Sequence, residues 1–209
     1  MDPYQTTFQT WNKIASLYQD QFMDMDLYND TYDRFCQLVE KREAKVFEIG
    51  CGPGNITRYI KSRRPDFQVD AIDVAPAMIQ LARNNVPAVR FHIMDCREIG
   101  KIEDQFDAII CGFCLPYLSQ PDSIQLFKDS AALLHPGGIA YFSTIEGDYS
   151  KSGYETSSSG DPSYVYYYEE ADLYMALEDQ GFEVIDILHK QYSKGDEIST
   201  HLIFMARRK

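Results

Sequence analysis

The chain has 209 residues, of which 44% are hydrophobic and 25% charged, a balance typical of one folded globular domain. Its formal net charge of −12 disfavours generic binding to nucleic acids, because an acidic surface repels phosphate backbones. The opening residues do not resemble a secretory signal, no apolar run is as long as a membrane span, and the odd, scattered set of five cysteines is typical of reduced thiols, so we expect a cytoplasmic protein.

The apolar pattern predicts two helical stretches followed by alternating strands and helices. Residues 8–22 and 28–39 repeat apolar side chains at helical spacing. Because both stretches precede every strand, they can only flank or cap the sheet. The elements that follow in chain order are a strand at 45–49, a helix at 55–61 capped by Asn55, a strand at 67–72, a helix at 76–84, strands at 89–93 and 106–111, a helix at 119–134 and a strand at 139–144.

The alternation stops after the last of these strands. Residues 148–163 are rich in Ser and Gly and indicate a long loop, and residues 168–180 indicate a helix. Two strands at 182–188 and 198–205 are joined by Ser-Lys-Gly-Asp, a turn signal. We therefore predict an α/β fold, a Rossmann-like three-layer α/β/α sandwich whose seven-stranded, mostly parallel sheet has an antiparallel last strand.

A glycine-rich turn, Glu48-Ile-Gly50-Cys-Gly52-Pro-Gly54, follows the first predicted strand. Glycines let the main chain turn sharply and let a ligand lie against bare backbone, and the next helix offers free N–H groups to an anionic group. A dinucleotide fingerprint needs its third glycine where Asn55 stands, and no Gly-Lys-Ser/Thr follows as a phosphate loop requires. A ligand with a carboxylate and an amine fits better than a pyrophosphate.

The sequence Glu-Ile-Gly-Cys-Gly-Pro-Gly-Asn resembles the first motif of the class I S-adenosylmethionine (SAM)-dependent methyltransferases, specifically the small free-standing members of types 11, 12 and 25. Residues 69–78, 94–96, 106–118 and 133–138 resemble the later motifs of that family. The resemblance implies SAM as the cofactor and S-adenosylhomocysteine (SAH) as its product. It also implies one methyltransferase domain at 1–209, made of a helical cap at 1–43, a SAM-binding core at 44–145, and a loop, helix and C-terminal hairpin at 146–209.

The resemblance also implies roles for individual residues. Asp73 falls where the family's acidic residue holds both ribose hydroxyls, a role that suits a carboxylate because it accepts both protons. Met78 resembles the residue that packs on the adenine, Asp95 and Cys96 lie where the family contacts its amino group, and Tyr18 belongs to helices that often cover the cofactor. The predicted cofactor-binding residues are Tyr18, Glu48, Gly50, Cys51, Gly52, Gly54, Asp73, Val74, Met78, Asp95, Cys96 and Cys111.

Structural roles stay open for several of these residues. Asp73 alone could cap the helix that follows it, and Asp95 could cap a turn. Cys111 and Cys114 have the spacing of a redox pair or of half a zinc site, but no second pair accompanies them, so ordinary thiols are favoured and no metal site is predicted. The aromatic run at 164–168 fits a substrate wall and a segment covering the core equally well.

These motifs predict methyl transfer from SAM to an O, N or C nucleophile of a small molecule by in-line displacement. No residue pair identifies a general base, so catalytic residues are left unassigned, with Tyr117, Glu146 and His189 as candidates only. The predicted partner is a small-molecule acceptor, with no membrane, nucleic acid disfavoured, and a monomer or homodimer. The alternatives are a SAM-binding regulatory or partner protein without catalysis and, less strongly, a nucleotide-dependent oxidoreductase.

Overall fold

The computed structural model describes residues 2–156, 160–195 and 197–209. The helices are α1 Pro3–Lys13, α2 Ala15–Phe22, α3 Asn29–Leu38, α4 Asn55–Arg63, α5 Pro76–Asn85, α6 Gln120–Leu133 and α7 Glu170–Asp179. The strands are β1 Lys45–Ile49, β2 Gln68–Asp73, β3 Arg90–Ile93, β4 Phe106–Cys111, β5 Leu134–Ile145, β6 Gly153–Thr156, β7 Pro162–Val165, β8 Phe182–Lys194 and β9 Glu197–Arg208. Among these residues, every helix is too short or too polar to cross a membrane.

One sheet of the described residues contains seven strands in the order β3-β2-β1-β4-β5-β9-β8. Strands β1 to β5 pair in parallel, whereas β9 runs antiparallel to both β5 and β8. The predicted α/β fold with a mostly parallel sheet and an antiparallel last strand is therefore confirmed. The strand order reverses between β1 and β4, and open α/β sheets bind ligands in the crevice at the carboxyl ends of such strands.

Helices cover both faces of this sheet and so create two apolar cores. On one face, α3, α4 and α5 bury Phe35, Ile60 and Ile79. On the other face, α6 and α7 bury Phe127 and Leu177. Each such side chain contributes about 1.5–3 kcal/mol when it leaves water. Because β1 and β4 are buried from both sides, their sequences read as nearly continuous apolar runs.

The N-terminal helices pack against the segments that follow the strands. Ala15 of α2 contacts Ala75 and Met78, which come directly after β2. Helix α1 is joined to β7 by two hydrogen bonds: Thr10 Oγ1 donates to the carbonyl of Pro162 (2.6 Å), and the main-chain N–H of Tyr164 donates to Thr7 Oγ1 (3.0 Å). These bonds fix the N-terminal segment near the carboxyl ends of the strands.

Two predictions about helices were wrong in detail. The helical stretch predicted at 8–22 is two helices that begin at Pro3 and divide at Ile14, where φ is −97° and ψ 13°. The predicted cap Asn55 is the first helical residue of α4, and the N-cap is Gly54, whose φ is 86°. Glycine at this position meets the left-handed backbone that the turn requires, so a capping side chain is not used.

The prediction of a loop at 148–163 was wrong for the part that the structure describes. It contains a 3₁₀ turn at Tyr149–Lys151, and β6 and β7 form an antiparallel hairpin, whereas residues 157–159 lie outside the described residues. Main-chain hydrogen bonds hold the two strands of this hairpin together, and such bonds leave no apolar pattern in the sequence. The Ser and Gly of this segment therefore indicated a loop. Strands β8 and β9 are longer than predicted, the turn residue Asp196 lies outside the described residues, and β5 begins at Leu134, so it includes His135-Pro-Gly-Gly.

Candidate functional site

The turn after β1 depends on glycines in the left-handed region of backbone space. The φ angles are 70° at Gly50, 53° at Gly52 and 86° at Gly54, values that residues with a side chain rarely adopt. The main-chain N–H groups of Gly50 and Cys51 both donate to the carbonyl of Ile72 at 2.9 Å. These two bonds fasten the turn to the end of β2 and hold bare main chain in the crevice between β1 and β4.

Two adjoining cavities lie along this turn. The inner cavity has a volume of about 120 Å³, and the outer cavity has a volume of about 1030 Å³. The ring of Trp11 lies 5.5 Å from that of Tyr18 and 5.2 Å from that of Tyr117. We call these three residues the aromatic divider, because they border both cavities. The residues common to both cavities are Trp11, Tyr18, Gly50, Gly52, Gly112, Phe113 and Tyr117.

Asp73 is the acidic residue at the end of β2 and lines the inner cavity. Its two carboxylate oxygens accept main-chain N–H groups from Gly52 at 2.9 Å and from Ala75 at 2.8 Å. Burial raises the pKa of Asp73, and these hydrogen bonds oppose that shift. Each oxygen retains a lone pair, so Asp73 can fix the glycine turn and still accept hydrogen bonds from a ligand.

Val74, Met78, Asp95 and Cys96 also line the inner cavity. Asp95 accepts the main-chain N–H of Arg97 at 3.0 Å, and its carboxylate forms an ion pair with the Arg97 guanidinium at 2.5 Å. Asp95 therefore caps the 3₁₀ turn that begins at Cys96, which is the structural role that the sequence left open. A contact between Asp95 and a ligand stays a prediction.

Four of the predicted residues line neither cavity: Glu48, Cys51, Gly54 and Cys111. The thiol of Cys51 is buried in the core beneath α4, and that of Cys111 is buried in the core on the opposite face. Gly54 packs against α5, because a Cβ at this position would lie 3.4 Å from the Cα of Ala82. A ligand could reach these positions only through their main chain.

Glu48 is only 1% exposed and lies under α4. Its Oε2 accepts a hydrogen bond from Thr57 Oγ1 at 2.5 Å, whereas Oε1 has no partner among the described residues. Burial raises the pKa of Glu48 to about 8, although the bonds from Thr57 oppose the shift. Glu48 is therefore mostly protonated at neutral pH in the ligand-free protein.

Replacing Glu48 by Gln should stabilise the ligand-free protein in alkaline solution. The Glu48 carboxyl has an ordinary pKa of 4.5 and a pKa of about 8 in the folded protein. The folded state therefore binds the proton more tightly than the unfolded state, and the stability that this gives is lost as the pH rises from 4.5 through about 8. At about pH 9, we expect the free energy of unfolding in urea to be roughly 2 kcal/mol higher for Glu48→Gln than for the parent, and at about pH 4, below both pKa values, we expect the two to match. The exposed Glu183→Gln is the control, and an equal difference at both pH values would contradict the prediction.

Cys114 lies beside Cys96, a contact that the sequence spacing did not suggest. Their Sγ atoms are 3.5 Å apart, and both residues line the inner cavity. The pKa of Cys96 is raised well above its ordinary value by the contact with Cys114 and by burial. Both cysteines are free, and because the pKa of each thiol is raised they stay protonated at neutral pH.

The outer cavity contains an aromatic group that sequence reasoning missed, formed by Tyr28, Phe113, Tyr192 and His201. The Tyr28 hydroxyl and His201 Nδ1 are hydrogen-bonded at 2.7 Å, and burial lowers the pKa of His201 to about 4. Phe113 directly follows Gly112 at the end of β4 and has a φ of 55°, which is unusual for a residue with a side chain. Its position after a central strand was the only signal in the sequence.

The three candidate catalytic residues occupy different surroundings. Tyr117 and Glu146 line the outer cavity, whereas His189 lies outside both cavities and pairs with Glu170 at 2.6 Å. Burial raises the pKa of Tyr117, so its phenol keeps its proton and is a poor base at neutral pH. Side-chain ligand atoms of Glu146, Glu170 and His189 lie within 4.8 Å of one another, a spacing that exposed acidic groups often adopt without a metal ion.

The aromatic run at 164–168 divides between the two roles that the sequence left open. Tyr167 lines the outer cavity. Val165 and Tyr168 are buried, and the Tyr168 hydroxyl is hydrogen-bonded to Ser123 at 2.8 Å. One run therefore supplies both a cavity wall and a cover for the core.

Comparison with known proteins places this site in a family. Residues 46–138 match the family model for a methyltransferase domain. Trans-aconitate 2-methyltransferase from Escherichia coli (strain 55989 / EAEC) is 37% identical over 94 residues, which are 45% of this chain and 36% of that protein. These matches support assignment of residues 46–138 to the class I SAM-dependent methyltransferase family. It spans 41% and 36% of the length of the first curated methyltransferases that it matches.

The methyltransferase fold extends over the whole chain. The 1,6-didemethyltoxoflavin-N1-methyltransferase of Burkholderia thailandensis, solved with 1,6-didemethyltoxoflavin and SAH, has a TM-score of 0.73 at 20% identity, over 100% of this chain and 91% of that one. The magnesium protoporphyrin IX methyltransferase of Synechocystis PCC 6803, solved with SAM, has a TM-score of 0.72 at 16% identity, over 100% and 98% of the two chains. At these identities the likeness concerns the fold.

Proposed function

We propose that this protein transfers a methyl group from SAM to a nucleophile on a small molecule. The observation that carries the proposal is the pair of cavities that meet at the aromatic divider. Methyl transfer needs a donor and an acceptor held side by side and shielded from water, and two adjoining cavities meet this need. Family membership and the SAM or SAH in the two related structures support the choice of cofactor.

The residues around the inner cavity fit an adenosyl amino acid. Gly50 and Gly52 present bare main chain, Asp73 presents two acceptor oxygens, and Met78 presents an apolar surface for a flat ring. The indole Nε1 of Trp11 is buried and has no hydrogen-bond partner among the described residues, although buried donors normally have one. A ligand oxygen between the two cavities would satisfy this donor.

The chain contributes alignment and shielding to the reaction. SAM, when bound, supplies a methyl group that is already activated by the positive sulfonium. Ring faces of the aromatic divider would stabilise that positive charge. Burial raises the pKa of Tyr18 to about 12 and also raises that of Tyr117, so both phenols stay neutral and can donate hydrogen bonds. The described residues offer no evident base at the divider, which is consistent with catalysis by alignment.

Calorimetry with SAM, SAH and NAD tests the proposal on the full chain. We expect saturable binding of SAM and SAH and no binding of NAD, which serves as the matched control for the oxidoreductase alternative. Release of SAH on addition of a broad acceptor panel would then establish catalysis. Binding without turnover across that panel would favour the SAM-binding partner protein, and the absence of SAM and SAH binding by folded protein would overturn the proposal.

We also propose the domain division, location and oligomeric state that the sequence predicted. They are the division into a cap at 1–43, a core at 44–145 and a C-terminal part at 146–209, together with the cytoplasmic location and the monomeric or homodimeric state. The Trp11 contacts support a functional link between the cap and the core, because this α1 residue lines both cavities.

A further inference from the structure

The charged side chains among the described residues of the outer cavity are all glutamates. Glu146 after β5, Glu155 in β6 and Glu197 at the beginning of β9 line this cavity, and none of the described residues lining it is Lys or Arg. His201 also lines it, but burial lowers its pKa to about 4, so it is neutral at neutral pH. The described wall therefore carries negative charge only.

Some acidic groups of the chain, which has 20 Lys and Arg and 32 acidic residues, form ion pairs. Asp30 pairs with Lys190 and Asp107 pairs with Lys41, each within 2.8 Å. None of the three lining glutamates forms an ion pair with a Lys or Arg of the described residues. Glu155 instead accepts a hydrogen bond from the Tyr167 hydroxyl. Among the described residues, the Lys and Arg side chains thus leave these three carboxylates without an ionic partner where a ligand would enter.

Aromatic rings form another part of the same wall. The His201 ring lies 6.0 Å from Tyr28 with the planes 8° apart, and 5.2 Å from Tyr192 with the planes 20° apart. The Phe113 ring meets His201 edge-on at 4.9 Å. Aromatic faces carry negative potential and attract organic cations, most strongly when water is excluded. The rings and the carboxylates therefore favour the same ligand charge.

We propose that the methyl acceptor is a small organic cation, and that its amine nitrogen receives the methyl group. This inference rests on the proposed function and specifies the substrate class of the same site. An ammonium group is attracted by the glutamates and by the ring faces, whereas a carboxylate-bearing acceptor is repelled by Glu146, Glu155 and Glu197.

The transfer step balances as follows. The ammonium first loses its proton to solvent. The freed nitrogen lone pair forms the bond to the methyl carbon while the carbon–sulfur bond breaks, and the electron pair of the broken bond stays on the sulfur of SAH. The positive charge of the sulfonium is then carried by the methylated nitrogen.

Calorimetry on the protein–SAH complex tests the inference with matched probes. The amines are phenethylamine and tryptamine, and the acids are 3-phenylpropanoate, indole-3-propanoate and trans-aconitate. We expect each amine to bind at least about tenfold more tightly than the acid with the same ring, because one unit charge changes sign beside unpaired carboxylates. An SAH-release assay with SAM then shows whether the bound amines are methylated.

Variants identify the source of the preference. We expect the triple variant Glu146→Gln, Glu155→Gln, Glu197→Gln to reduce the amine preference roughly tenfold and to leave SAH affinity unchanged. The control is Glu183→Gln, because Glu183 is exposed at the far end of β8, where it pairs with Arg207 at 3.7 Å. Thermal unfolding of each variant excludes loss of folding as the cause.

The outcomes separate the two proposals. Failure of SAH to bind overturns the proposed function. If SAH binds but the acids bind as well as the amines, or neither series binds at millimolar concentration, the acceptor inference alone is overturned. An amine preference that survives in the triple variant also overturns it, because the glutamates would then not be its cause.

Discussion

Asp73→Ala should lower the affinity for SAM and SAH about a hundredfold or more, since hydrogen bonds to a charged acceptor contribute about 1.5–3 kcal/mol each. The side chain lines the inner cavity, and we propose that it accepts both ribose hydroxyls. It also accepts the N–H groups of Gly52 and Ala75, so its loss loosens the turn on which the ligand would lie. Calorimetry with SAH measures the effect.

The control for this variant lies on the same strand. Asp70 forms an ion pair with Arg90 at 2.5 Å on the exposed edge, and Asp70→Ala should leave SAH affinity unchanged. Asp73→Asn, which keeps one acceptor oxygen, should fall between the parent and Asp73→Ala. If Asp73→Ala remained folded and bound SAH as tightly as the parent, the ribose role of this carboxylate would be wrong.

Gly52→Ala should weaken SAH binding at least about tenfold, because a methyl group would stand on main chain where we place the ligand. In the ligand-free protein the added Cβ has room, with Tyr18 Cε1 at 3.7 Å and Asn55 Oδ1 at 3.9 Å as its nearest neighbours. The backbone at φ 53° costs a residue with a side chain about 1–2 kcal/mol. The protein should therefore stay folded while binding is lost.

Gly181→Ala separates backbone strain from ligand contact. Gly181 has a φ of 88°, and a Cβ there would meet nothing within 4 Å. Both variants should lower the unfolding temperature, but only Gly52→Ala should weaken binding. Equal SAH affinity in the two variants would show that the bare main chain at Gly52 has no part in binding.

The sequence predicted that the residues directly after parallel strands lie together at one site, and the order of the strands in the sheet is the reason. Gly50 and Asp73 come at or directly after the ends of β1 and β2, and the carboxyl ends of neighbouring parallel strands must meet at one edge. Strand alternation decides which side of the sheet a side chain faces, and the sequence prediction did not specify that orientation. Cys111 ends a correctly predicted strand, but its side chain faces the opposite core.

Contacts between distant segments could not be predicted from local patterns. Tyr28 and His201 are 173 residues apart in sequence, and their hydrogen bond depends on β9 lying beside β5. The β6–β7 hairpin is short, and its position depends on hydrogen bonds that Thr7 accepts from β7 and Thr10 donates to it. Tertiary contacts of this kind bring together residues from distant segments. The sequence alone therefore could not predict that Glu146, Glu155 and Glu197 line one cavity.

Helix α1 has a thermodynamic consequence for the two ligands. Its Trp11 borders both cavities, and Asn12 Oδ1 accepts the main-chain N–H of Ala77 at 2.9 Å, which fastens the helix to α5. Any molecule that binds only when α1 is docked stabilises the docked state, and the docked state in turn strengthens the hold on the other molecule. The methyl donor and the acceptor would thereby raise each other's binding affinity through α1, a helix outside the sheet.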